Sequence, residues 1–159
     1  MSRPDWDEYF LDLAKAAATR ATCDRAQVGC VLVKDNRVLS TGYNASVSGH
    51  PHCDEAGHIL IDNSCARAAH AEENAIVTAA RFGISVADTT AYVTHFPCWR
   101  CFRMLSNAGI KRIVFLNLKV GGLTLQILDE YLSSKIMIED STAATLSDLK
   151  DEIVSKLTQ

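Results

Sequence analysis

Apolar positions along this chain recur with two spacings, one helical and one alternating, and the switches between them mark its elements. Trp6, Tyr9, Phe10, Leu13, Ala16 and Ala17 share one helical face, and Asp5 with Glu8 resembles a capping box with Asp in place of Ser or Thr. A first helix is therefore predicted to about residue 20. Val28–Lys34 and Arg37–Asn44 read as strands, with Asp35-Asn36 as the hairpin turn between them. Residues 45–66 read as a long irregular loop of Ser, Gly, His, Pro and Asp; loops of that length in a compact domain are usually functional or held by something. Ala71–Arg81 reads as a helix that Gly83 can cap. Thr90–Thr94 is a short strand, and Pro97 precedes a helix from Cys98 to about Asn107 with Gly109 after it. Arg112–Leu116 is a strand, Leu123–Leu132 a helix and Lys135–Ile138 a weak strand. Thr142–Leu157 is a closing helix carrying Leu146, Leu149, Ile153 and Leu157. A hairpin followed by alternating helices and strands predicts an α/β fold, with a mixed central sheet of about five strands and helices on both faces.

The chain has 159 residues, 48% hydrophobic and 22% charged, with a formal net charge of −3. That length predicts one domain over residues 1–159, burying roughly 70% of its unfolded surface. The balance excludes a disordered or low-complexity protein. It also argues against polynucleotide partners, which call for a basic excess. The start, Met1-Ser2-Arg3-Pro4-Asp5-Trp6, lacks the basic-then-apolar run of a signal peptide, and no apolar run suits a membrane span. A cytoplasmic protein without a membrane partner is expected.

Six cysteines and five histidines change the picture most. In a reducing compartment, clustered Cys and His more often bind metal or do chemistry than form disulfides. His70-Ala71-Glu72 precedes Pro97-Cys98-Trp99-Arg100-Cys101. His70, Cys98 and Cys101 are three good zinc ligands, and three leave a position open for water. Both halves fall at predicted helix starts, where the helix dipole favours thiolates. Two thiolates neutralise the charge of Zn²⁺, so a separate base is needed, and Glu72 can reach the water without binding the metal. A structural zinc knuckle would normally be closed by four protein ligands, and a redox Cys pair would not need His-x-Glu.

This H-x-E…P-C-x-x-C order resembles the signature of zinc nucleobase deaminases. The wider set narrows it: Trp6-Asp7-Glu8-Tyr9-Phe10, Thr22-Cys23-x-Arg25, Val28-Gly29, Thr41-Gly42-Tyr43-Asn44, His52-Cys53-Asp54, Cys65-x-Arg67-x-x-His70-Ala71-Glu72-x-Asn74-Ala75-Ile76 and Tyr92-Val93-Thr94-His95-Phe96-Pro97-Cys98. Together these resemble the deoxycytidylate (dCMP) deaminases and their relatives from bacterial late-competence operons, over about residues 4–116. The resemblance implies a cytidine-deaminase-like three-layer sandwich. It also implies zinc-dependent hydrolysis of dCMP to dUMP and ammonia, supplying dUMP for thymidylate synthesis. Zinc would sit on His70, Cys98 and Cys101, with Glu72 moving protons from water to the base. The backbone N–H of Ala71 would hold the pyrimidine carbonyl and Asn44 the base or sugar, the plain alternative for Asn44 being a turn residue. Arg25 and Arg67 would hold the phosphate, against the alternative of solvated surface arginines. Many relatives carry a second basic residue after Arg25, where this chain has Ala26. Deamination of dCTP or free deoxycytidine, and a non-catalytic zinc scaffold, stand as alternatives.

The same resemblance implies a second, closed zinc site pinning the long loop, with Cys23, His52, His58 and Cys65 as ligands and Cys53 as the alternative to His52. Irregular chain without an evident core also calls for such a clip. Cys30, in an apolar strand, reads as core. Many family members are homo-oligomers, often hexamers, with dCTP and dTTP as effectors, accompanied by Mg²⁺. Arg81 matches that effector region, against the alternative of a cation stabilising a helix C-terminus. Relatives read Gly-Tyr-Asn-Gly where this chain reads Gly42-Tyr43-Asn44-Ala45, and Ala45 would block a close backbone approach.

Overall fold

The computed structural model describes residues 2–159. Helix α1 (Trp6–Ala18) begins where the Asp5 carboxylate accepts from the Glu8 N–H at 2.8 Å. Strands β1 (Gly29–Lys34) and β2 (Arg37–Tyr43) follow, joined by Asp35 and Asn36 at φ 50° and 56°, the left-handed pair of a type I′ hairpin turn. The expected irregular loop is in fact built from short pieces. These are β3 (Ala45–Ser46), α2 (Cys53–Ala56), β4 (Leu60–Ile61), β5 (Ser64–Cys65) and β6 (Ala68–Ala69), with β3 pairing β6 and β4 pairing β5. Helix α3 (Ala71–Arg81), β7 (Thr90–His95), α4 (Trp99–Asn107), β8 (Arg112–Asn117), α5 (Leu125–Ser133), β9 (Met137–Asp140) and α6 (Lys150–Leu157) complete the order.

The central sheet runs β2-β1-β7-β8-β9, antiparallel through β7 and parallel from β7 to β9. Its inner strands are buried on both faces, as strands covered by two helical layers must be. Val31, Val33, Tyr92 and Val114 face α1 and pack on Phe10, Leu11 and Ala14. Cys30, Leu32, Val93, Ile113 and Phe115 face the other way, toward α3, α4, α5 and α6, where Ala75, Leu105, Leu128 and Ile153 meet them. The mixed five-stranded sheet with helices on both faces is the fold class expected, and Cys30 lies in its core.

Two glycines set the helix positions. A Cβ on Gly29 would lie 1.9 Å from the Ala14 carbonyl oxygen, and one on Gly42 would lie 2.1 Å from that of Ala71. Helix α1 therefore rests directly on β1, and the first turn of α3 directly on β2. Arg112, opening β8, ties the layers at the far edge. Its Nη1 and Nη2 donate to the two Asp7 oxygens at 2.8 and 2.6 Å, its Nε donates to Glu139 at 2.7 Å, and the Tyr92 hydroxyl also donates to Asp7. The Arg112 guanidinium, more than any other group, holds the Asp7 carboxyl below its ordinary range.

The closing helix is shorter than its apolar spacing predicts, starting at Lys150 and not Thr142. Asp140 Oδ1 accepts from the N–H groups of Thr142 and Ala144, and Asp148 from that of Thr145, while Ala143 takes a left-handed φ of 64°. These side-chain bonds offer the backbone a turn in place of a helix. Leu146 and Ile153 are nevertheless buried as the spacing implies. No helix among the described residues is long and apolar enough to cross a membrane.

Candidate active site

His70 and Cys98 occupy equivalent places, each the extended N-cap residue of a helix, α3 and α4. The first turns of both helices leave backbone N–H groups without helical partners, so both cap residues sit in a field that favours negative charge. His70 Nδ1 lies 3.6 Å from Cys98 Sγ and 3.4 Å from Cys101 Sγ, and the three donor atoms lie within 4.8 Å of one another. Zinc binds sulfur at about 2.3 Å and imidazole nitrogen at about 2.0 Å, so ligands at tetrahedral angles sit about 3.5 Å apart. The donor set therefore fits zinc in both chemistry and spacing. Tyr131 on α5 braces the cysteine turn from below, donating its hydroxyl to the Pro97 carbonyl at 2.9 Å within an aromatic cluster of Phe96, Trp99 and Phe102. Residues past 117, for which the sequence offers no role, thus support the site.

Glu72, in the first turn of α3, is 4% exposed. Burial pushes its pKa above the usual carboxylate range. The Cys101 thiol, with His70, holds Cys98 down to about 4, and the same contact drives Cys101 upward. Chiefly through its bond to Cys98, His70 titrates above its ordinary value. A buried carboxyl thus stands beside the donor cluster without being part of it.

His70, Glu72 and Cys98 line a cavity of about 550 Å³ whose walls also include Arg25, Asn44, Ala71, His95, Phe96 and Lys119. Asn44 spans its side wall: Oδ1 accepts from the Val28 N–H at 2.7 Å and Nδ2 donates to the Ala26 carbonyl at 2.8 Å. The amide therefore holds the Ala26–Val28 segment in place, and one N–H of Nδ2 is left for a ligand. Arg25 reaches the cavity while donating to the Asn63 carbonyl. Arg67 does not line it. It opens on an adjoining groove, with Nε donating to the Gly57 carbonyl at 2.8 Å. The two expected phosphate residues thus open on different cavities. Arg81 is exposed at the C-terminal end of α3, its guanidinium 5.9 Å from the Phe82 ring centre. His95 and Lys119 were not singled out as site residues. His95 stands three residues before Cys98, but spacing alone does not say that it faces a cavity. A surface groove of about 910 Å³ beneath Trp6, Tyr9 and Arg37 is lined by neither His nor Cys and lies apart from this chemistry.

A second cluster gathers the small pieces around β5. Cys23 Sγ, Cys53 Sγ and a His58 nitrogen lie within 4.8 Å of one another. Cys65 Sγ adds to them, 3.6 Å from Cys53 Sγ and 3.4 Å from His58 Nδ1. Of the two residues weighed for this place, the structure brings Cys53 and not His52 to the group. His52 is the N-cap of α2, with its backbone N–H given to the Glu55 carboxylate, and its imidazole Nδ1 is buried without a partner. Adjacent residues at a helix start project in different directions, so only one of the two reaches the cluster. Asp24 accepts from His58 Nε2 at 2.8 Å, which fixes Nδ1 as the donor atom facing the thiols. Burial pushes the Cys65 thiol up, but bonds from His58 and from the backbone of Ala68 and Arg67 outweigh it and bring it to about 6.

Zinc-dependent nucleobase deaminases are the class that this fold and this donor set define, because the buried carboxyl beside an open three-ligand site separates them from structural zinc modules. Residues 4–117 match the cytidine and deoxycytidylate deaminase zinc-binding region, and the chain belongs to that family. It is 41% identical over 115 residues to ComE operon protein 2 of Bacillus subtilis (strain 168), covering 72% of this chain and 61% of that protein. The deoxycytidylate deaminase of Mycobacterium phage D29 is 42% identical over 126 residues, covering 72% of this chain and 97% of the phage protein. The chain thus spans about three fifths of the first relative and nearly all of the second. The fold superposes on the dCMP deaminase of cyanophage S-TIM5, solved in complex with dCMP and dUMP, with a TM-score of 0.73 and 27% identity over 88% of this chain and 99% of that one.

Proposed function

We propose that this chain, acting as one catalytic domain, hydrolyses dCMP to dUMP and ammonia and so supplies dUMP for thymidylate synthesis. The observation that carries the reading is the buried Glu72 carboxyl beside the His70/Cys98/Cys101 cluster, on a cavity whose walls carry Arg25 and Lys119. The names of the phage relatives support dCMP as the substrate.

Zinc held by His70, Cys98 and Cys101 would supply Lewis-acid activation of the attacking water. Glu72 takes the proton that water loses, passes it to N3 of the cytosine, and delivers the second to the departing amino group. Burial raises its pKa, which strengthens it as a proton acceptor. The Ala71 N–H, in the first turn of α3, meets the pyrimidine carbonyl, and the spare N–H of Asn44 meets the base or sugar. Arg25 takes the phosphate; Arg67, on the adjoining groove, acts at its rim.

A second zinc on Cys23, Cys53, His58 and Cys65 would pin the chain between β3 and β6. Four ligands and an Asp24-oriented imidazole support a closed, structural site. Exposed Val77 and Phe82 on the outer side of α3, beside Arg81, support a homo-oligomeric contact there, with a hexamer as the family assembly and dCTP, dTTP and Mg²⁺ as its effectors. Six free thiols suit a reducing cytoplasm.

The test is ammonia release from dCMP, dCTP, CMP and deoxycytidine, with metal counted on the same sample. The reading predicts the highest kcat/KM with dCMP. Equal rates on deoxycytidine would remove the nucleotide assignment, and inertness toward all four would favour a zinc scaffold.

A further inference from the structure

Two cavity groups have no role in the reaction as described, and they stand together at the end of the parallel strands. His95 closes β7 and Asn117 is its partner on β8, with Lys119 two residues on. The ends are locked to each other: Asn117 Nδ2 donates to the Thr94 carbonyl at 2.7 Å, and the Phe96 N–H donates to the Asn117 carbonyl at 2.8 Å. Lys119 is exposed at the cavity wall and makes no ion pair among the described residues.

The tautomer of His95 follows from its neighbour. Thr94 is buried, and its Oγ1 accepts from the Gly29 N–H at 3.1 Å and lies 2.9 Å from His95 Nδ1. That imidazole nitrogen is the only acceptor for the Thr94 hydroxyl among the described residues, and a buried hydroxyl proton left without an acceptor is costly. The hydroxyl therefore donates to Nδ1, and the proton of the neutral ring sits on Nε2. Burial, and then the Lys119 ammonium, keep the ring below its ordinary pKa, so it is neutral at pH 7. What His95 offers the cavity is a fixed N–H donor beside a free ammonium.

We infer that His95 Nε2–H and Lys119, which share the cavity with Arg25, bind the 5′-phosphate of the substrate and select nucleotide over nucleoside. The assignment rests on the dCMP reading above. A phosphate monoester brings three acceptor oxygens and up to two charges, more than the Arg25 fork alone satisfies. A neutral donor beside the Lys119 cation supplies a further contact without adding like charge. It also gives this chain a substitute for the basic residue that Ala26 lacks after Arg25.

The test separates phosphate recognition from turnover. Binding of dUMP and of deoxyuridine to the zinc-loaded protein is measured by calorimetry for the wild type and for His95→Leu, His95→Gln and Lys119→Met, with Lys150→Met as a charge control. His95→Leu and Lys119→Met should each lower the preference for dUMP by about tenfold to a hundredfold, the range for a hydrogen bond to a charged group. His95→Gln, which keeps an N–H near the same place, should recover most of it, and Lys150→Met should not shift it. Long-range ¹H–¹⁵N spectra of the wild type should show His95 protonated on Nε2 alone at pH 7. A His95 protonated on Nδ1, or variants that weaken nucleotide and nucleoside alike, would overturn the inference. Ammonia release by the wild type is read separately, so failure of the deaminase reading and failure of the phosphate assignment give different results.

Discussion

Replacing Gly42 with Ala tests whether the fold and the site are one construction. Gly42 has no positive φ, so its backbone would accept any residue, and the penalty of a side chain comes from contact alone. The added Cβ would lie 2.1 Å from the Ala71 carbonyl oxygen, 2.4 Å from the Ala75 nitrogen and 3.0 Å from the Ala75 Cα, all backbone atoms of α3. Carbon and oxygen need more than 3 Å, so the helix must retreat from β2 by roughly an ångström. Overpacking of this kind costs about 1–3 kcal/mol, at the upper end where backbone must move. In a domain of this size 1 kcal/mol shifts Tm by about 2–4 °C, so a fall of about 4–12 °C is expected. Ala71 lies between His70 and Glu72, so the shift also moves the proposed zinc donor and the proposed proton carrier. Zinc retention against a chelator should fall with stability, and kcat should fall further than either. Gly121→Ala is the stability control, since a Cβ there meets nothing within 4 Å. Calorimetry with parallel metal competition decides it. A Gly42→Ala protein as stable and as metal-retentive as the Gly121→Ala protein would refute the claim that direct helix–strand contact sets the site.

Two further outcomes follow from the ion network and the second cluster. Asp7, held by Arg112, has its pKa lowered on folding, so its contribution is complete above the unfolded value near 4 and fades as pH falls through the folded value. Asp7→Asn should cost about 1–2 kcal/mol in urea denaturation at pH 7, discounted for partial exposure, with the difference closing toward pH 2; a difference independent of pH would sink the assignment. Cys53→Ser should remove one of two zinc ions per chain and make the segment between β3 and β6 protease-sensitive, while His52→Ala should keep both; the reverse pattern would restore His52 as the ligand.

The sequence was most legible where local chemistry and tertiary packing agree. Ala71–Arg81 emerges with the bounds its pattern implies, because buried Ala71, Ala75 and Ala79 are both good helix formers and the small face that β2 demands. The His70/Cys98/Cys101 cluster was legible because its spacing encodes two helix starts. Legibility failed where side chains compete with the backbone. Apolar spacing at Leu146, Leu149 and Ile153 implied one helix from Thr142, and the carboxylates of Asp140 and Asp148 replaced its first half with turns. The segment 45–66 looked irregular because two-residue strands are too short to carry a period. The choice between His52 and Cys53 turns on which way a helix start points, and the roles of His95 and Lys119 turn on which residues share a cavity; neither is written in spacing.

The central claim is that one buried carboxyl moves the protons of a hydrolysis beside a three-ligand zinc. Ammonia release from dCMP by Glu72→Gln, measured at wild-type zinc content, tests it most directly. The account predicts a loss of at least about 10²–10⁴-fold with metal and fold intact. A Glu72→Gln protein that retains its zinc and still releases ammonia at the wild-type rate would contradict it.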